Sequence, residues 1–218
     1  MIIGFVGLIG SGKDTAADYL VNSYEFRRDS FAATLKDAVA AVFGWDRELL
    51  EGRTAASRAW REEVDPWWAK RLAMPDLTPR LILQQWGTEV GRRAFHEDIW
   101  IASLANKMRK TNDNIVITDC RFPNEIAAIR NAGGRVFRIK RGPDPAWWVE
   151  AEDYFAGRRQ YPPDGVHASE WSWIASPLDG IIDNNGTIGE LFDEIKTMAI
   201  DSFNNPIYNV ILNKELSQ

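Results

Sequence analysis

The chain is poor in the residues that several functions would need. It holds one cysteine, Cys120, among 218 residues, so no disulfide can close within it. A disulfide-built secreted domain is therefore excluded, and the composition suits a reducing cytosol. Histidine is nearly as scarce, with only His96 and His167. One thiol and two imidazoles do not spell a zinc-type cluster. Positive charge is not in excess: 26 Lys and Arg stand against 31 Asp and Glu, a net charge of −5. That balance argues against a coat for polymeric nucleic acid, although a local basic cluster could still take a phosphate. No apolar run approaches the roughly 20 residues of a membrane span. The opening MIIGFVGLIGSGK has no basic leader and is broken by glycines, so it reads as a buried strand and not a signal peptide.

Hydrophobic residues, in contrast, make up 45% of the chain. That suffices for one sizeable core, and a single α/β domain over 1–218 absorbs this length. Ten tryptophans are many; most read as core, some as aromatic walls for a base. Ile2 to Gly7, Phe26 to Phe31, Ile115 to Thr118, Val136 to Ile139 and Ile181-Ile182 read as short strands. Between them lie helical patterns: Lys13 to Asn22, Thr34 to Phe43, Thr78-Pro79 to about Arg93, about Asp98 to Lys110, Pro123 to near Gly133, and Ile188 to about Ser202. The alternation predicts an α/β fold, with a parallel sheet of five strands covered by helices on both faces. Residues 45–77 read as short helices and loops inserted over a substrate site. Residues 142–173 lack clear periodicity and read as loop or lid. The tail from Asn204 has no clear pattern.

Gly7-Leu8-Ile9-Gly10-Ser11-Gly12-Lys13-Asp14-Thr15 matches G-x-x-x-x-G-K between an apolar strand and a helix. Glycines let consecutive N–H groups converge on one anion, and the helix N-terminus adds its positive dipole end. Lys13 would reach the β- and γ-phosphates of ATP. Asp14 stands where Ser or Thr is usual. A carboxylate beside phosphates is unfavourable unless Mg²⁺ lies between them, so Asp14 or Thr15 is expected to hold Mg²⁺. Asp119 follows the strand ending at Thr118, at the sheet edge where ligands sit. It could orient Mg²⁺ or the attacking oxygen, and Arg121 could clamp a phosphate. The plainer reading has Asp119 capping a turn and Arg121 pairing with Glu125.

These residues together resemble the deoxynucleoside monophosphate kinases of tailed bacteriophages, over about residues 1–200. Gly10-Ser11-Gly12-Lys13-Asp14-Thr15 has the same lysine-aspartate-threonine ending as that family. Phe31 to Ala38, Arg80 to Glu89, Trp100, Asp119-Cys120-Arg121, His167-Ala168-Ser169-Glu170 and Asn184-Asn185-Gly186-Thr187 are similar to further family segments. The resemblance implies a P-loop kinase with a helical substrate-binding region over about 45–110 and a lid over about 142–173. It implies ATP and Mg²⁺ as cofactors, with Gly10 to Thr15, Asn184, Gly186 and Thr187 at the donor. Asp14, Thr15 and Asp119 would take the metal. Phe31, Lys36, Arg80, Gln84, Trp86, Thr88, Trp100, His167 and Glu170 would border a deoxynucleoside monophosphate. Arg80, Gln84 and Thr88 would share one helix face. Lys13, Asp119 and Arg121 would act in transfer, with Arg158 and Arg159 from the lid. It also suggests a homodimer in the cytoplasm, the host's if the gene is a phage's. Bland alternatives stay open: Lys36 as a solvated surface lysine, Arg158 and Arg159 as a solvated loop pair. Two rival functions also remain, another small-molecule kinase such as one for dephospho-coenzyme A, and a silent nucleotide-binding module.

Overall fold

A computed structural model describes residues 1–201 and divides the chain into two compact units. One joins Met1–Ser30 to the chain from Lys107 onward; the other is Phe31–Asn106.

The first unit is built on β1 (Ile2–Val6), β2 (Phe26–Asp29), β3 (Asn114–Ile117), β4 (Arg135–Lys140) and β5 (Gly180–Asp183). All neighbours pair in parallel, in the order β2-β3-β1-β4-β5. The central β1 sets Gly4 opposite Ile117 on one side and Val136 on the other. Its Ile3, Phe5 and Val6 are buried. Such an unbroken apolar run is what a parallel strand covered on both faces requires. In chain order the helices are α1 (Lys13–Tyr24), α2 (Ala33–Phe43), α3 (Arg47–Glu51), α4 (Ala55–Trp60), α5 (Pro66–Leu72), α6 (Pro79–Gln84), α7 (Ile99–Met108), α8 (Pro123–Asn131), α9 (Trp147–Phe155), α10 (Ala168–Trp171) and α11 (Ile188–Ile195). Ala16, Ala17 and Leu20 of α1 and Leu191 and Ile195 of α11 pack on Phe5, Phe137 and Ile182 of the sheet. Tyr19 stacks on Phe192 at 4.1 Å. This packing fixes where the loops leave the C-terminal sheet edge.

The second unit has a core of Leu35, Val39, Phe43, Leu50, Leu77 and Ile82 walled by tryptophans. Trp45 stacks on Phe43 at 4.5 Å, and Trp68 lies 4.8 Å from it. Indole N–H groups find acceptors, Trp68 on Phe43 O and Trp45 on Asp65, so each half-buried ring packs there without a stranded donor. Short helices persist because each is capped. Asp46 accepts from Glu48 N and Leu49 N, Thr54 and Ser57 form a reciprocal box, and Asp65 accepts from Trp67 N and Trp68 N.

The helix expected from Thr78 to Arg93 is α-wound only to Gln84; from Gln85 to Phe95 it opens into the wider π winding. The last helix likewise widens over Lys196–Asp201. Residues 142–173, expected as loop, contain α9 and α10. Helix α9 has no side-chain cap to announce it. Trp148 instead docks it, buried under the Arg138 guanidinium 3.9 Å from its ring centre. The tail from Asn204 lies outside the described residues.

Candidate active site

The glycine-rich loop leaves β1 with Gly7, Gly10 and Gly12 all at positive φ. Ser11 N bonds Leu8 O at 3.2 Å, and Ala16 N to Gly12 O begins α1. No side chain caps that helix start, which leaves its first N–H groups to an anion. Lys13 Nζ donates to Gly7 O (2.8 Å) and Leu8 O (2.9 Å), curling over the loop. Burial pushes its ammonium pKa down, and the nearby Arg121 charge adds to this, against Asp14 and Glu170. An ammonium so placed gains from a polyanion brought beside it. Ser11 is buried, and its hydroxyl has no hydrogen-bond partner among the described residues.

Asp14 and Thr15 are exposed at the start of α1. Asp14 Oδ1 accepts from Arg28 Nη1 at 2.7 Å and from the Thr118 hydroxyl at 3.4 Å. Arg28, on β2, also holds Asp18 at 2.9 Å. Asp119, two residues past β3, is half-buried. Arg121 places its side chain on Glu170 (Nη1 to Oε1, 2.9 Å), while Glu125 accepts from the backbone N–H groups of Arg121 and Phe122. The surface pair Arg121–Glu125 considered from the sequence is thus replaced by a pair 49 residues apart. His167 positions that partner: its Nδ1 accepts from Ser169 N, and Glu170 N bonds His167 O.

The loop after β5 is tied to the glycine-rich loop. Asn184 Nδ2 donates to Ser11 O at 2.8 Å, and Asn184 N to Lys140 O at 2.8 Å. Asn185 accepts from Gly142 N at 2.6 Å. Thr187 caps α11 in a reciprocal box with Glu190, beside Gly186. A cleft of about 130 Å³ lies here, lined by Gly10, Ser11, Arg138, Lys140, Arg141 and Asp144 among others. Asp144 joins Arg138 to Lys140. Lys13, Asp14, Arg121, Glu170 and Asn184 therefore gather around the loop. Arg158 and Arg159 pair locally, with Asp153 (2.7 Å) and Glu150 (2.8 Å).

In the second unit, Lys36 Nζ lies 2.7 Å from Glu51, which also takes Arg47. Burial would raise the Glu51 carboxyl, but hydrogen bonds from Lys36 and Arg47 outweigh it and hold its pKa below the usual 4.5. Phe31 is buried. Trp86 meets Phe43 edge-on, and Trp100 Nε1 donates to Gly87 O at 2.9 Å, so both indoles serve the core. Arg80, Gln84 and Thr88 are exposed. Their common row presumes α winding, which ends at Gln84. Arg80 pairs with Glu62 at 3.1 Å.

A protein of Acanthamoeba polyphaga mimivirus, provisionally named a deoxynucleotide monophosphate kinase, is 30% identical over 210 residues, spanning 89% of this chain and 94% of its own length. The chain belongs to that kinase family. The deoxynucleoside-5′-monophosphate kinase of Escherichia phage T5 is 28% identical over 185 residues, 60% of this kinase and 72% of the phage protein. Among solved structures, a Campylobacter jejuni dephospho-CoA kinase overlays at TM-score 0.43 and 15% identity, covering 92% of this kinase and 96% of that one. An Aquifex aeolicus shikimate kinase overlays at 0.42 and 13%, covering 94% and 98%. No family model matches the kinase.

Arg28, Arg138 and Lys140 were not among the residues expected at the kinase's site. Their signal was modest but present: charged residues within β2 and β4, toward the end of the sheet where the glycine-rich loop emerges.

Proposed function

We propose that the kinase transfers the γ-phosphoryl group of ATP to the phosphate of deoxynucleoside 5′-monophosphates. The observation that carries this reading is the relationship to a deoxynucleotide kinase over 89% of the chain, joined to a glycine-rich loop whose Lys13 lies half-buried over it. An acceptor phosphate oxygen bonds to the γ-phosphorus as the bond from γ-phosphorus to the β,γ-bridging oxygen breaks. ADP leaves, and the acceptor becomes a diphosphate. That oxygen is already anionic, so no strong base is required; the chain's task is alignment and charge neutralisation.

Lys13 and the N–H groups of Gly10 to Thr15 would hold the β- and γ-phosphates. Arg121, steadied by Glu170, would take charge on the moving group, and Asp119 would orient the attacking oxygen. Asn184, Gly186 and Thr187 would border the adenine. Phe31, Lys36, Arg80, Gln84 and Thr88 would border the acceptor; Trp86 and Trp100 would shape its walls from the core. Arg158 and Arg159 would join from the lid, leaving Asp153 and Glu150. Asp14, Thr15 and Asp119 offer only oxygen donors, which suits Mg²⁺. Among the described residues no group of three or more His, Cys, Asp and Glu could cage a metal, so phosphate oxygens and water would complete the set. Bound Mg²⁺ would neutralise phosphate charge. By kinship with the phage T5 enzyme, the diphosphates would serve phage DNA synthesis.

The test is incubation with ATP, Mg²⁺ and each of dAMP, dCMP, dGMP and dTMP, with products separated by ion-exchange chromatography. A deoxynucleoside diphosphate is expected. Phosphorylation of dephospho-coenzyme A with no deoxynucleotide product would overturn the reading, as would ATP binding with no product.

A further inference from the structure

Strand β4 carries an arginine where a parallel strand covered on both faces would hold an apolar side chain. Phe137 and Ile139 pack into the sheet core with α1 and α11. Arg138 between them turns to the opposite face and is only 6% exposed. A guanidinium taken out of water needs compensating partners, and those of Arg138 come from residues 144–173. Asp144 takes Nη2. The Trp148 ring of α9 lies 3.9 Å from Cζ, and the Trp173 ring, two residues past α10, lies 5.6 Å from it. Nε is buried with no hydrogen-bond partner among the described residues.

These partners stand at the two ends of one segment. Asp144 and Trp148 open it and Trp173 closes it, and the two indoles meet edge-on at 5.4 Å. Between them, Trp171 of α10 packs against Tyr154 and Phe155 of α9 at 5.6 and 5.7 Å. Helices α9 and α10 thus form one aromatic-packed body, rooted on β4 through the buried Arg138 charge. That body carries Glu170, whose carboxylate holds Arg121 at 2.9 Å. Its root adjoins the glycine-rich loop, because Arg138 and Asp144 line one cleft with Gly10 and Ser11.

We propose that Arg138 is a positioning residue for phosphoryl transfer: it staples both ends of 144–173 to β4 and so holds Glu170, and through it Arg121, in place. This rests on the acceptor reading above and adds a residue to it. Arg138 touches neither nucleotide, so its loss acts on turnover and leaves the glycine-rich loop able to bind the donor.

The test uses the full chain. Arg138→Met keeps an unbranched stem and deletes the charge. Hydrogen exchange read by mass spectrometry should quicken over 144–173, with β1 and β3 protected as in wild type. The kcat should fall about 10- to 100-fold, the scale on which small misplacements from a distant change act. Calorimetric affinity for ADP should stay close to wild type. Arg138→Lys should recover part of kcat, because charge returns to Asp144 and the rings without the fork. A folded Arg138→Met protein with unchanged exchange over 144–173, or with unchanged kcat, would overturn the proposal. Exchange that quickens equally over β1, β3 and β4 would make the arginine a core residue alone and would also overturn it. Should Arg138→Met not fold, Asp144→Asn carries the same comparison from a partly exposed partner. Quicker exchange over 144–173 with a smaller fall in kcat is then expected, and wild-type values of either would overturn the proposal. If wild type phosphorylates no deoxynucleotide, the acceptor reading itself has failed. The exchange comparison then judges the staple separately, and unchanged protection over 144–173 would overturn it.

Discussion

Replacing Gly12 with alanine would probe the joint between the glycine-rich loop and the loop after β5. Gly12 sits at φ 102°, ψ 13°, where an L side chain is strained by about 1–3 kcal/mol. Its new Cβ would also fall on Asn184 Nδ2, the atom that donates to Ser11 O at 2.8 Å. Displacing that amide costs a further hydrogen bond, about 0.5–1.5 kcal/mol. Gly12→Ala should therefore destabilise by about 1.5–4.5 kcal/mol, or roughly 3–18 °C of thermal midpoint for a chain of this size. Asn184→Ala alone should cost only the hydrogen-bond share. In the double variant the collision is gone, so the second change should cost less than it does in wild type. Urea unfolding of all four proteins should give a coupling of about 0.5–1.5 kcal/mol. Costs that add to within about 0.3 kcal/mol would refute the tether, because independent sites behave that way.

Lys13→Ala should lower kcat about 100- to 1000-fold, measured by steady-state ADP release. Burial holds the Lys13 pKa below its ordinary 10.5, so its charge is lost as pH rises through that lowered value; nucleotide binding to the ATP-free protein, followed by calorimetry, should weaken on that alkaline limb and not in Lys13→Met. Glu51 titrates the other way. Its folded pKa lies below 4.5, so its contribution is present above 4.5 and lost as pH falls through the folded value; the stability gap between wild type and Glu51→Gln should close in acid. Arg28→Ala should cost about 0.2–1 kcal/mol in stability, since the Asp14 partner is exposed. It should also lower the Mg²⁺ concentration needed for half-maximal rate, because Asp14 Oδ1 loses its arginine. Cys120 is buried, and burial followed by Asp119 and Glu125 raises its thiol pKa; it should resist a thiol reagent until the protein unfolds.

The sheet was legible because β1, β3 and β5 each carry a short apolar run, Ile2 to Val6, Ile115 to Ile117 and Ile181-Ile182, set between helical patterns. The glycine-rich loop was legible because its geometry is local: strand, glycines, lysine and helix are adjacent in sequence. What escaped depends on distant partners. Helix α9 is anchored by Trp148 under Arg138, a contact its own periodicity does not announce. The winding change at Gln85 occurs within a pattern that reads as a continuous helix. Arg121 found Glu170 and not the nearby Glu125 side chain, because Glu125 is turned to the backbone N–H groups at the start of α8. Trp86 and Trp100 read as core more readily than as base-stacking surfaces, and their contacts with Phe43 and Gly87 are ones that periodicity does not announce.

The central claim is the identity of the acceptor, and a coupled ADP-release assay tests it most directly. Wild type and Lys13→Ala would be compared over dAMP, dCMP, dGMP, dTMP, their ribonucleotide counterparts and dephospho-coenzyme A. The account predicts ADP release by wild type that depends on at least one deoxynucleoside monophosphate and is nearly abolished in Lys13→Ala. Release that no deoxynucleotide stimulates, or that only dephospho-coenzyme A stimulates, would contradict it.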